Sequence, residues 1–168
     1  MSDADFRPNA DELVANNQAY SEGFSDAELQ VSPLRHLAVV VCMDSRIDVF
    51  AVLGLGNGEA HVIRNAGGVV TDDVVRSLCL SQRLLGTREV MLVHHTDCGL
   101  QKVREDDLRE ELAREVGVTP TWTFDSFSDP AADVRQSIRR LELSPFVDSG
   151  QVRGFVYDVT TGRLDEVH

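Results

Sequence analysis

Lysine is almost missing from this chain: Lys102 is the only one, and every other basic residue is arginine. Basic side chains of both kinds are outnumbered, 16 against 28 acidic ones, for a formal net charge of −12. That balance excludes a nucleic-acid partner, because phosphate binding needs a basic face. Cysteine is also scarce. There are three, Cys42, Cys79 and Cys98, and an odd number without an export signal argues against a disulfide framework. It favours metal binding or catalysis for any clustered pair. No stretch approaches the roughly 20 apolar residues of a membrane span, so no membrane partner is expected. The first residues, Met1-Ser-Asp-Ala-Asp-Phe6, are acidic and lack the basic start of a secretory signal, which makes the cytoplasm the expected location. Only five prolines are present, and no repeat, low-complexity tract or linker divides the chain.

What is present suits one globular domain spanning 1–168, with 42% hydrophobic residues to build a core. Asn9 to Phe24 carries Leu13, Val14, Asn17 and Tyr20 at helical spacing. It is only weakly apolar, and reads as an N-terminal helical arm, 1–25, that packs on a partner subunit. Leu37–Cys42 is a continuous β-branched run, the pattern of a strand buried on both faces. Ile47–Leu55 then reads as a short helix capped by Asp44 or Ser45. A second strand is expected at Ala60–Arg64, a helix at Asp72–Leu85 with Gly86 past its end, and a third strand at Glu89–His94. Gln101–Val116 reads as helical and Thr119–Ser128 as a loop. Asp129-Pro130 opens a helix through about Leu143, and strands follow at Val152–Asp158 and at the C-terminus. The alternation predicts an α/β fold with a central, mostly parallel sheet flanked by helices.

In such sheets, sites form beyond the carboxyl ends of strands. The first strand delivers Cys42, Asp44 and Arg46, and the third delivers His95 and Cys98. Two thiolates and an imidazole suit zinc and leave one tetrahedral position open, as in catalytic sites. As a bare pattern, one Cys with a distant His-x-x-Cys is only moderately specific. Buried lone cysteines and strand-end histidines are common without function, and Asp44 with Arg46 could simply cap a helix and form a surface pair.

Cys42-Met-Asp-Ser-Arg46 together with His95-Thr-Asp-Cys98-Gly99 resembles the paired signature of the β-class carbonic anhydrases. Arg64-Asn-Ala-Gly-Gly68, Gly154-Phe-Val-Tyr-Asp158 and Thr161-Gly162 resemble the same family, so the similarity runs over about residues 10 to 167. The short length suggests its compact, Cab-type branch. The resemblance implies one zinc ion per subunit on Cys42, His95 and Cys98, with Asp44 and Arg46 as the catalytic pair. It implies reversible hydration of carbon dioxide to bicarbonate through zinc-bound hydroxide, in a homodimer or a tetramer of paired dimers. Two other readings remain open: hydrolysis of carbonyl sulfide or carbon disulfide on the same scaffold, and a non-catalytic zinc- or bicarbonate-binding protein.

Further expectations follow. Two thiolates cancel the zinc charge, so activity should rise through mildly alkaline pH. Val39 and Val41 stand where bicarbonate-switched members of the family carry Trp and Gly, which favours an open site with Asp44 off the metal. His94 should face away from His95, and Cys79 should be core. Gly54–Gly58 precedes a strand instead of joining strand to helix, so it reads as a turn and not a phosphate loop. The acidic Glu105–Glu115 stretch reads as a solvated helix face.

Overall fold

The computed structural model describes residues 9–168, which form five helices, two 3-10 turns and one five-stranded sheet. The strands are β1 (Leu37–Cys42), β2 (Ala60–Asn65), β3 (Glu89–His95), β4 (Val152–Tyr157) and β5 (Leu164–Val167), in the order β2-β1-β3-β4-β5. β1 pairs in parallel with β2 and β3, and β3 with β4; only β5 runs antiparallel. The expected mostly parallel sheet is therefore present. β1 is buried at every position, as its unbroken apolar run requires of a central parallel strand.

The helices are α1 (Ala10–Glu22), α2 (Val49–Leu53), α3 (Asp72–Leu85), α4 (Glu105–Val116) and α5 (Pro130–Glu142). α3 starts at Thr71, whose hydroxyl accepts from the Val74 amide at 3.3 Å, and stops at Gly86, which takes the left-handed conformation. α5 begins as its sequence indicates: Asp129 accepts from Ala131 N–H at 2.9 Å and Pro130 occupies the first turn.

Alternating strand residues build two cores. Ala38, Val40, Val90 and Leu92 pack with Val74 and Leu78 of α3 and Leu141 of α5. On the other face Leu37, Val39, Val41 and Val93 pack with Ile47, Val49 and Phe155. Helices thus cover both faces, with the short α2 on the second.

Three local expectations are corrected. α2 is shorter than Ile47–Leu55 and its cap is Asp48, accepting from Ala51 N–H at 3.2 Å; Asp44 is unavailable because Arg46 holds it. Gln101–Val116 is not one helix. A 3-10 turn over Gly99–Lys102 gives way at Val103-Arg104, both extended, before α4 begins. Cys79 is only partly buried. Residues 1–8 of the arm lie outside the described residues, and in α1 no residue is buried.

Candidate metal centre and its aspartate–arginine pair

The sheet order shows why residues far apart in sequence meet. The chain leaves β1 for β2 on one side and leaves β3 for β4 on the other, so the segments that follow these two neighbouring strands run in opposite directions. Ligand crevices form at such switch points. Their register pairs Val41 with Val93, which brings the end of β1 level with the end of β3.

Cys42, His95 and Cys98 meet there with their donor atoms all within 4.8 Å of one another, and all three residues are buried. The two sulfurs are 4.0 Å apart. His95 Nδ1 lies 2.9 Å from the Thr96 carbonyl oxygen. An acceptor there selects the tautomer with hydrogen on Nδ1 and leaves a lone pair on Nε2. His95 Nε2 is buried without a hydrogen-bond partner among the described residues. A buried lone pair without a partner is costly unless a ligand meets it, and beside two sulfurs the fitting ligand is a borderline-soft cation such as zinc.

The electrostatics agree. Burial alone would raise the Cys42 thiol, but the adjacent His95 ring and the backbone N–H groups of Asp44 and Gly67 outweigh it and bring it down to about 7. Burial pushes the Cys98 thiol up to about 11 against the Leu100 amide, and the neighbouring Cys42 adds to the rise. Burial would lower the His95 ring, yet Cys42 and Asp44 raise it. The same negative surroundings favour a metal cation at that place.

Asp44 stands beside this cluster, Oδ2 lying 3.8 Å from His95 Nε2. Arg46 grips both carboxylate oxygens: Nε donates to Oδ1 at 3.0 Å, Nη2 to Oδ2 at 2.7 Å, and the backbone N–H to Oδ1 at 2.9 Å. This fork-on-carboxylate arrangement holds the Asp44 carboxyl well below the usual carboxylate range.

Comparison with known proteins follows the same lines. The carbonic anhydrase family model matches residues 37–126. β-Carbonic anhydrase 1 of Mycobacterium tuberculosis is 54% identical over 158 residues, covering 94% of this chain and 96% of that relative. The chain belongs to the β-class carbonic anhydrase family. A crystal structure of carbonic anhydrase from Streptococcus mutans superposes with a TM-score of 0.90 at 42% identity, covering 97% of this chain and 99% of the other. A carbon disulfide hydrolase of Saccharolobus solfataricus is 43% identical over 159 residues, covering 80% of this chain and 78% of its own.

All five residues singled out in the sequence come together in this carbonic anhydrase fold. Several neighbours that hold them were not singled out. Arg64, from β2, donates to the carbonyls of Cys42 at 3.0 Å and Asp44 at 2.8 Å, clamping the turn between them. Gln101 accepts from the Cys98 amide at 2.9 Å and donates to the Ser128 carbonyl at 3.1 Å. Gly68 has φ +72, and a Cβ there would lie 2.8 Å from the Cys42 backbone nitrogen. Arg64 and Gly68 both stand in the Arg64-Asn-Ala-Gly-Gly68 motif, which the sequence marks without a role for either; Gln101 stands in no such motif. His94 turns away from His95, as alternation predicts, and its Nε2 meets Asp133 Oδ2 of α5 at 2.6 Å.

Proposed function

We propose that this chain hydrates carbon dioxide reversibly to bicarbonate and a proton, using one zinc ion per subunit held by Cys42, His95 and Cys98, with Asp44 and Arg46 as the catalytic pair. The observation that carries this is the Asp44 carboxylate: it is locked by Arg46 and presented beside three metal-type donors without being one of them. A purely structural zinc site has no use for it and closes with a fourth ligand.

Zinc bound there supplies Lewis-acid activation of a water near neutral pH. The protein's part is orientation. Asp44, kept ionised by Arg46, accepts a hydrogen bond from the attacking oxygen at Oδ2, the oxygen nearer His95, and so turns a lone pair toward the substrate carbon. Arg46 binds no substrate; it fixes the plane of that carboxylate. His95 is held in its ligating tautomer by the Thr96 carbonyl. Both cysteines pack among apolar side chains, Ile47, Leu100 and Phe127 among them, which suits an apolar substrate and excludes bulk water.

Asp44 stays off the metal in this reading: Arg46 fixes the plane of its carboxylate, and the remaining lone pair of Oδ2 is kept for the reacting oxygen. α1, with Leu13, Val14 and Tyr20 exposed, serves as the arm that packs on a second copy in a homodimer. The site needs cysteines as thiolates, 4.0 Å apart and unpaired, which favours the reducing cytoplasm. Among the described residues no helix is long and apolar enough to cross a membrane.

The deciding experiment is stopped-flow hydration of carbon dioxide by zinc-loaded protein, run beside carbonyl sulfide and carbon disulfide hydrolysis. Fast hydration with slow or absent sulfide release is the expected result. Preference for either sulfur compound would replace the substrate while keeping the site.

A further inference from the structure

Arg46 presents two forks, and only one of them faces Asp44. The other, made by Nη1 and Nη2, faces Asp97: Nη1 donates to Oδ2 at 2.9 Å and Nη2 to the Asp97 carbonyl at 3.0 Å. With Nε and Nη2 on Asp44, the guanidinium is held along both edges and has no freedom to rotate about its stem. The remaining Asp97 oxygen, Oδ1, is 2.8 Å from Nζ of Lys102, the only lysine in the chain. Four side chains of alternating charge, Lys102, Asp97, Arg46 and Asp44, thus run in line to the edge of the donor cluster.

Asp97 lies between His95 and Cys98, on the β3 side of the crevice, whereas Arg46 follows β1. Its ion pair therefore ties together the two loops that carry the site. Its backbone has φ +52, in the left-handed region that non-glycine residues occupy at a cost. That conformation points both its carbonyl and its carboxylate at one guanidinium. Asp97 and Arg46 are each about half exposed, 54% and 45%, and ion pairs so exposed add little to stability. Geometry, and not folding energy, is what this residue supplies.

We propose that Asp97 is a positioning residue for the reaction: it fixes Arg46 from behind so that Arg46 can present the Asp44 carboxylate at one angle. This rests on the reading of Asp44 and Arg46 as the catalytic pair. Lys102 restrains Asp97 in turn and has a smaller share.

The test is Asp97→Gly, which removes the carboxylate and relieves the positive φ, with Asp97→Asn and Lys102→Met beside it. Zinc-loaded Asp97→Gly should lose roughly tenfold in kcat, with KM little changed, zinc content intact and a melting temperature equal to or above the wild type. Asp97→Asn keeps an acceptor for Nη1 and tolerates the backbone, and should recover most of the loss. Lys102→Met should cost about twofold. The second readout is the Arg46 Nε–H resonance, sharp and slow to exchange with water in the wild type and broadened in Asp97→Gly. Activity of Asp97→Gly within twofold of wild type, or an unaltered Arg46 resonance, overturns the proposal, as does a loss that merely follows zinc or melting temperature. If wild type proves inert toward carbon dioxide while the Arg46 resonance still depends on Asp97, the reaction reading falls and the positioning role stands.

Discussion

Asp44 Oδ2 and His95 Nε2 lie 3.8 Å apart, too far for a hydrogen bond and close enough to share one small ligand sphere. Oδ2 accepts from Arg46 Nη2 at 2.7 Å, and Nε2 carries a lone pair with no hydrogen-bond partner among the described residues. An ion on the nitrogen and a water hydrogen on the oxygen would complete both.

Asp44→Asn should lower kcat/KM by roughly 10²–10³ while zinc content stays at wild-type level. The amide keeps the size but turns an acceptor edge into a donor. Arg46→Lys should fall nearly as far, because an ammonium cannot grip both oxygens at once. Stopped-flow kinetics with metal analysis on the same samples checks both, and near-normal activity in Asp44→Asn would remove it from the mechanism.

Acid should inactivate the enzyme through its ligands and not through Asp44. Arg46 depresses the Asp44 carboxyl, so its contribution is present above the ordinary carboxylate range and is lost only as pH falls through the lower folded value. Metal uptake has the opposite limit: Cys98, pushed up to about 11, must give up its proton, and so must the raised His95 ring. Apparent zinc affinity should climb with pH through neutrality. Activity and zinc content should disappear together as pH is lowered, and acid inactivation with zinc retained would contradict this.

Gln101→Ala should weaken zinc binding by roughly tenfold to a hundredfold. The substitution frees the Cys98 amide and also releases Ser128, so the ligand loop loses its hold from both sides. Competition against a chromogenic chelator measures it directly.

Gly68→Ala should destabilise the fold by roughly 2 kcal/mol or more and reduce zinc retention. The added methyl meets backbone at Cys42 and Val41, at 2.8 and 3.0 Å, not a side chain that can move aside. A melting curve with and without zinc is the measurement, and an unchanged midpoint would refute it.

Removing residues 1–22 should shift the protein to a smaller assembly in light scattering, since α1 buries none of its own residues within the chain. An unchanged mass would exclude the arm from the subunit contact.

Local pattern carried the reading of the sheet a long way. The unbroken β-branched run of β1, the Asp129-Pro130 start of α5 and the glycine after α3 each act within a few residues, so their spacing alone is informative. Period-two alternation likewise separated His94 from His95. Where local signals competed, the sequence misled: Asp44 has the composition of a helix cap, yet Arg46, two residues on, takes its carboxylate, and the cap passes to Asp48.

By itself the sequence determined the donor types, the strands that end in them, and the resemblance that joins Cys42 to His95 and Cys98. Only the tertiary structure decided what surrounds them. Arg64 comes from a neighbouring strand, Asp97 reaches across the crevice from the other loop, and Gln101 ties Cys98 to Ser128, 27 residues beyond Gln101 itself. Arg64 and Asp97 stand inside motifs that the sequence marks, and Gln101 stands in none, but spacing along the chain does not say what any of the three holds. Their roles depend on which carbonyls and guanidinium groups lie within three ångströms, and that is settled by the parallel register of β1 against β2 and β3.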